Sequence, residues 1–430
     1  MKRYYWPLNL QAKAQPCGGG LPRARRMGSG ARDSAMNRTI YLSLAALTCA
    51  LSIARGPVAS AQVLPERDAC LPTTSASARD ANCARCQAGP LSTKSSFLAL
   101  IDKLRSRNAV FDDVDRRIDA ASPSKEVNQL LKGRVLARAL YGSDSDFIAG
   151  GAASRCVPFN DEAAVNTATA FPCDNIPRDG LGVIVTAGQS NISNTGSPDR
   201  ATGRLYQPRH VFYNYNYLDG KCYIAKNPLL GTAGGGENVA VRLGDELMSR
   251  KLYKNIVIAP VAIGGTYLEE WRPRGGKYFE ILLLALAGLR DVRLEPTALL
   301  WHQGEYNAFA FTTGGAEDGT VLNVTTPMRE AGRLSYLRNY LEIVAGLRVA
   351  EVTAPIFVAQ ATRCGGPPDE IIRSAQASVP NPSLGVFAGP DTDSIGPALR
   401  SDGCHMAHAG TDQHARMWAD ILGNAIKRQR

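Results

Sequence analysis

The sequence has no internal repeat and no low-complexity tract, so nothing in it points to a solenoid, a propeller or a disordered chain. It also lacks an apolar run suited to a permanent membrane span. The longest, "IYLSLAALTCALSIA" at 40–54, is too short to cross comfortably. The body of the chain carries almost no excess charge. Residues 1–61 hold nine Lys or Arg and one acidic residue, Asp33, which leaves 40 basic against 38 acidic residues for the remainder. The formal charge of +10 therefore sits in the leader, and nucleic acid is not an expected partner. The Cys83-x-x-Cys86 pair has no second pair and no nearby histidines, which argues against zinc, and no metal or cofactor is expected.

What is present begins with an export signal. Asn37-Arg38 precede the apolar run, and "ASA" before Gln62 has the small-x-small form that a signal peptidase accepts. Met36 stands directly before the charged residue and reads as the start of translation. Ala46-Leu47-Thr48 before Cys49 makes a poor lipidation site, so a secreted or periplasmic protein is expected, with no membrane contact after cleavage; a retained anchor is the alternative. Eight cysteines remain beyond the leader, at 70, 83, 86, 156, 173, 222, 364 and 404. An even set in an exported chain reads as disulfides. The expected pairings are Cys156 with Cys173, bracketing a loop, and Cys364 with Cys404.

Three regions follow: a leader at 1–61, a helical accessory segment at 62–180 and a domain of different texture at 181–430. In the second, "SFLALIDKLRSRNAVFDDVDRRI" and "SKEVNQLLKGRVLARALY" space apolar residues by three and four, and 142–179 reads as loop. From Leu181 onward, five nearly continuous apolar strands alternate with amphipathic helices: "LGVIVTAG", "NIVIAPVAIGG", "TALLWHQGE", "APIFVAQAT" and "SLGVFAGP". That pattern predicts a parallel sheet covered on both faces, with ligands beyond the carboxyl ends of its strands. Residues 210–225 read as an inserted hairpin turning at Asp219-Gly220.

Those strand ends carry polar residues and glycines that sheet packing does not require. Strand one ends in Gly188-Gln189-Ser190-Asn191, strand two in Gly264-Gly265-Thr266 and strand three in His302-Gln303-Gly304-Glu305. Asp402 and His405 precede the final helix. Acyl transfer needs a nucleophile, a base, a group that orients the base and donors for the oxyanion. Ser190 is the candidate nucleophile and His405 the base, with Asp402 three residues earlier and able to reach Nδ1. The N–H groups of Ser190 and Gly265 and the Gln303 amide are the candidate oxyanion donors. Each residue also has a plainer reading: Ser190 as a helix cap, Gly264-Gly265 as a turn, and "HQGE" as a buried polar network behind the strand.

Taken in order, "GQSN" (188–191), "GGTYLEEW" (264–271), "WHQGE" (301–305) and "DGCHMAHAG" (402–410) resemble the sialate O-acetylesterase-type carbohydrate esterases of the SGNH hydrolase superfamily. The resemblance spans about 250 residues and implies a flavodoxin-like three-layer α/β/α sandwich. It implies catalytic roles for Ser190, His405 and Asp402, with Glu305 as the rival orienting acid, and an oxyanion hole of Ser190, Gly265 and Gln303. Substrates of such enzymes are acetylated sugars: sialic acids, xylan and related glycans. Trp271, Tyr267 and Trp301 are candidates to stack on a sugar ring. Arg272 and Arg400 are candidates to pair with a carboxylate, and Gln189, Asn191 and Thr266 to bind substrate. Ile192 in place of Met, and Tyr306-Asn307 in place of Ser-Asp, depart from the family pattern. The alternatives are a lipase or thioesterase acting on non-sugar esters, and a non-catalytic glycan-binding protein on the same scaffold.

Overall fold

A computed structural model of the 430-residue chain describes residues 95–132, 162–276, 278–312 and 325–429. The expected leader with its Met36 start and cleavage site lies outside these residues, as do Cys70, Cys83, Cys86 and Cys156. All described residues belong to one compact unit, 67–430.

Eight strands form a single sheet: β1 (Ala170–Phe171), β2 (Leu181–Gly188), β3 (Tyr213–Asn216), β4 (Lys221–Ile224), β5 (Asn255–Ala262), β6 (Ala298–His302), β7 (Ile356–Gln360) and β8 (Val386–Asp391). Their spatial order is β1-β4-β3-β5-β2-β6-β7-β8. The five apolar runs expected from the sequence are β2, β5, β6, β7 and β8, all parallel to their neighbours. Numbered along the chain, these five lie in the order 2-1-3-4-5, the flavodoxin-like arrangement, whose ligand crevice opens where the order reverses. Here that point lies between the carboxyl ends of β2 and β6, paired up to Gly188 and His302.

The sheet is wider than the five expected strands. The hairpin at 210–225 forms as β3 and β4 and extends the sheet, because β3 pairs in parallel with β5 while β4 runs antiparallel. β1 then pairs with β4, matching Phe171 to Cys222. That register overturns the expected Cys156–Cys173 bridge. It brings Cys173 beside Cys222, with a Cα–Cα distance of 5.2 Å and a disulfide between them. The Cys364–Cys404 bridge forms as expected.

Alternation along the strands sends side chains into two cores. Ile184, Ile258, Leu300 and Phe357 face one side with α5 (Val239–Ser249) and α10 (His408–Gln429). Val183, Val185, Ala187 and Val257 face the other with α6 (Phe279–Asp291), α8 (Thr326–Val349) and α9 (Glu370–Ser378). The sandwich carries an additional layer on that second face. α6 is buried nearly all round, which a surface helix never is. Its outer side is covered by α1 (Ser95–Arg105), part of the helical segment with α2 (Asn108–Ala120) and α3 (Lys125–Lys132). Phe97, Leu100, Phe111, Ile118 and Leu131 of these three join the same core. α4 (Glu162–Thr167) and α7 (Glu305–Thr312) complete the described helices.

Candidate active site

β2 reaches its end flush against β6. Gly188 has φ +129°, and a Cβ there would collide with the His302 carbonyl oxygen, so only glycine fits. The Gln189 N–H then donates to that carbonyl at 2.9 Å, fixing the turn that carries Ser190. Ser190 opens a single 3₁₀ turn, 190–192, whose cap position is Gln189, so its hydroxyl is not used as an N-cap. Its carbonyl accepts from the Ser193 N–H and Oγ and from Thr195 Oγ1, which pins the backbone and leaves the side chain clear of that task. Ser190 is 6% exposed, enough for an atom at the surface and little more.

The base candidate is held from both sides. His405 Nδ1 lies 2.7 Å from Asp402 Oδ2, while Asp402 Oδ1 accepts the N–H groups of Cys404 and His405 at 2.9 and 2.7 Å. Partial burial works to raise the Asp402 pKa, but the His405 hydrogen bond and charge, with those two N–H groups, hold it well below the usual carboxylate range. The disulfide to Cys364 fastens the loop at the residue before His405. Asn191, directly after Ser190, donates to the Cys404 carbonyl at 3.3 Å and accepts the Met406 N–H at 3.3 Å. The turn with the serine and the loop with the histidine are therefore bonded to each other on both sides of His405.

Glu305 takes other partners. Its Oε1 accepts from Asn191 Nδ2 at 2.8 Å and lies 2.9 Å from His302 Nε2, and among the described residues it makes no hydrogen bond to His405. Burial pushes its pKa up, yet the His302 and Asn191 contacts outweigh that and leave it below its ordinary value. Behind this pair, the His302 and His414 rings lie 4.9 Å apart, and burial beside His302 and Arg400 drives the His414 pKa well down. His408 lies outside the site, with Nδ1 2.8 Å from Glu237 Oε1.

Several residues proposed for the oxyanion hole and for substrate are withdrawn into the structure. Gln303 is fully buried and both its amide hydrogens are committed, to the Thr266 carbonyl at 2.9 Å and to Asn307 Oδ1 at 2.6 Å. Its carbonyl side takes the Tyr336 hydroxyl, so "HQGE" forms an internal polar network and Gln303 is not an open donor. Gln189 is buried and its Oε1 accepts from the Gly304 and Tyr306 N–H groups. The Asn191 amide is spent as described above. Thr266 is buried between the Ile263 carbonyl and Trp271 Nε1. Trp271 and Trp301 are inaccessible and stack edge-on in the core at 5.4 Å, and Tyr267 is buried beside Tyr306 at 4.4 Å. None of the three is a sugar platform; of these four aromatics only Tyr306, singled out in the sequence as a departure from the family pattern, keeps partial exposure. Arg400 spends its guanidinium on the carbonyls of Ile395, Arg363, Cys404 and Thr392, and clamps the base loop instead of binding a carboxylate. Arg272 reaches Asn339 at 3.4 Å.

Two backbone donors remain. Among the described residues no acceptor meets the N–H of Ser190 or of Gly265. Gly264 stands against Ser190, since a Cβ on it would lie 3.5 Å from the Ser190 Cβ, and Gly265 follows with φ +65° and open space in front of it. No group of three or more His, Cys, Asp or Glu among the described residues is arranged to hold a metal ion. No described helix is long and apolar enough to cross a membrane.

Residues 181–318 match the family described as carbohydrate esterase, sialic acid-specific acetylesterase. That stretch includes Ser190, Gly265 and Glu305 and ends before Asp402 and His405. Solved structures give weaker likenesses. A protein from Arabidopsis thaliana shares 19% identity over 58% of this chain and 99% of its own, with a TM-score of 0.44. A carbohydrate acetylesterase from Xanthomonas citri shares 14% over 58% of this chain and 57% of its own, with a TM-score of 0.37. An acetyl xylan esterase from Geobacillus stearothermophilus shares 12% over 57% of this chain and 97% of its own, with a TM-score of 0.34. Comparison with curated proteins returned no match.

Proposed function

We propose, from a carbohydrate-esterase segment at 181–318 of the sialic acid-specific acetylesterase type, that the chain is an exported serine esterase that removes O-acetyl groups from glycans. The observation that carries this reading is the Asp402–His405 pair on a loop bonded through Asn191 to the turn of Ser190. Ser190 Oγ attacks the acetyl carbonyl carbon while His405 Nε2 takes its proton. Asp402 at Nδ1 keeps the imidazole in the required tautomer and stabilises the imidazolium as it forms. The N–H groups of Ser190 and Gly265 receive the charge that builds on the carbonyl oxygen. His405 returns the proton to the departing sugar oxygen, and a water activated the same way releases acetate from the acetyl-serine. Tyr306, partly exposed at the start of α7, is the aromatic best placed to meet a sugar ring. Export is supported by the two disulfides, which persist in oxidising compartments.

Ser190→Ala should lose roughly 10⁴-fold or more in kcat on 4-nitrophenyl acetate, with unchanged circular dichroism. Activity near wild type would sink the assignment of Ser190. Acetate release from acetylated xylan and acetylated sialoglycan, assayed side by side, identifies the glycan. Equal inertness toward both, with turnover of longer acyl esters, would favour a lipase-type reading. The mature protein recovered outside the cytoplasm should begin at Gln62.

A further inference from the structure

Asn191 has one carbonyl and two N–H donors, and all three are engaged. One hydrogen goes to Glu305 Oε1 at 2.8 Å, the other to the Cys404 carbonyl at 3.3 Å, and Oδ1 takes the Met406 N–H at 3.3 Å. Cys404 and Met406 flank His405, so the two loop bonds fix the backbone immediately before and after the base. Rotating the amide by half a turn would aim its oxygen at the Glu305 carboxylate and the Cys404 carbonyl, both acceptors. Glu305 thus sets the orientation of Asn191, and a buried ionised acceptor does so strongly. Glu305 is itself held by His302 Nε2 at 2.9 Å, at the end of β6. The Cys404 carbonyl has a second donor in Arg400 Nη1, whereas the Met406 N–H has no other acceptor among the described residues.

We propose that Asn191 and Glu305 are positioning residues that hold the base loop in register with the nucleophile, with Glu305 acting through Asn191 and not on His405. The inference rests on the esterase reading for its catalytic consequence, and on the hydrogen bonds alone for its structural one. What Glu305 supplies is an acceptor for Asn191 and His302, so a glutamine carbonyl at the same place serves both. Asp402, which orients His405 directly, has no such substitute.

The test compares Asn191→Ala, Glu305→Gln, Glu305→Ala and Asp402→Asn for kcat and KM on 4-nitrophenyl acetate, with hydrogen exchange followed across 401–407. Asn191→Ala should lower kcat about 100-fold with KM changed less than about twofold, since a base misplaced by a fraction of an ångström costs rate and not binding. The Met406 amide should exchange faster in that variant. Glu305→Gln should lose no more than about fivefold while Asp402→Asn loses about 10⁴-fold, as for a triad acid replaced by its amide. A merely structural role would lower the melting temperature and spare kcat per active site. Asn191→Ala within threefold of wild type, an unaltered Met406 amide, or Glu305→Gln as damaged as Asp402→Asn each overturns the proposal. If Asn191→Ala does not fold, the glutamine and alanine variants at 305 decide: a tenfold or greater advantage for glutamine supports it, and equal rates refute it. If the wild type hydrolyses no acetyl ester, the functional reading fails, and exchange at Met406 alone decides whether Asn191 holds the loop.

Discussion

An oxyanion donor works only where nothing else uses it, and Gly265 offers an N–H with no acceptor among the described residues. At φ +65° an alanine would pay roughly 1–2 kcal/mol for the left-handed conformation, although its Cβ meets no atom. Gly265→Ala should therefore stay folded, relax away from that φ, and lose about 10- to 100-fold in kcat. A lower melting temperature with kcat intact would reduce Gly265 to a turn residue. The two depressed carboxylates give a second residue-scale expectation. Asp402 and Glu305 both titrate below their ordinary values of 3.8 and 4.5, so each binds a proton more weakly folded than unfolded. The stability they contribute is complete above those values and is lost as pH falls through them toward the folded pKa. Urea midpoints should decline below about pH 4.5, and less so in Glu305→Gln; parallel acid profiles would contradict a depressed Glu305. The Asp402–His405 spacing was legible in the sequence because that contact is local. The fates of Gln303, Trp271 and Arg400 were not, because each depends on partners remote in the sequence: Thr266 and Tyr336 for Gln303, Trp301 for Trp271 and the Arg363 carbonyl for Arg400.

Among the elements, the parallel strands were plain from their continuous apolar runs, which only a sheet covered on both faces requires. β1 was not, because two residues carry no periodicity, and with it the Cys173–Cys222 pairing stayed hidden. The hairpin turn at Asp219-Gly220 could be read, but its attachment to β5 could not, since pairing across an edge leaves no local signal. The loop before α10 is held by three devices: the bridge from Cys404 to Cys364, the Arg400 clamp and the Asn191 bonds. The bridge closes a segment with a sequence separation of 40. Its removal in a Cys364→Ser/Cys404→Ser variant should cost roughly 4 kcal/mol by the chain-entropy relation. Because the missing bond adjoins His405, kcat should also fall at temperatures where the variant is folded. A stability loss with undiminished kcat would show that Arg400 and Asn191 suffice to place the base.

At the scale of the molecule, the candidate catalytic groups sit at one end of the sheet, while α1–α3 pack on a face whose inner helix, α6, is buried nearly all round. The sequence separates 62–180 from the hydrolase region because its texture changes at Leu181, yet a change of texture does not require a boundary in the core. Phe97, Phe111 and Leu131 lie in the same buried cluster as Leu283 and Trp301, and Arg274 ties Asp112 and Asp115 of α2 to Glu342 of α8. We therefore propose that α1–α3 fold with the hydrolase region as one cooperative unit and that their role is to cover α6. Phe111 is 1% exposed, so Phe111→Ala leaves a cavity that should cost about 3–5 kcal/mol. The expected result is a single unfolding transition shifted as a whole. Two resolved transitions, with activity surviving the first, would instead make the helical segment a separate domain.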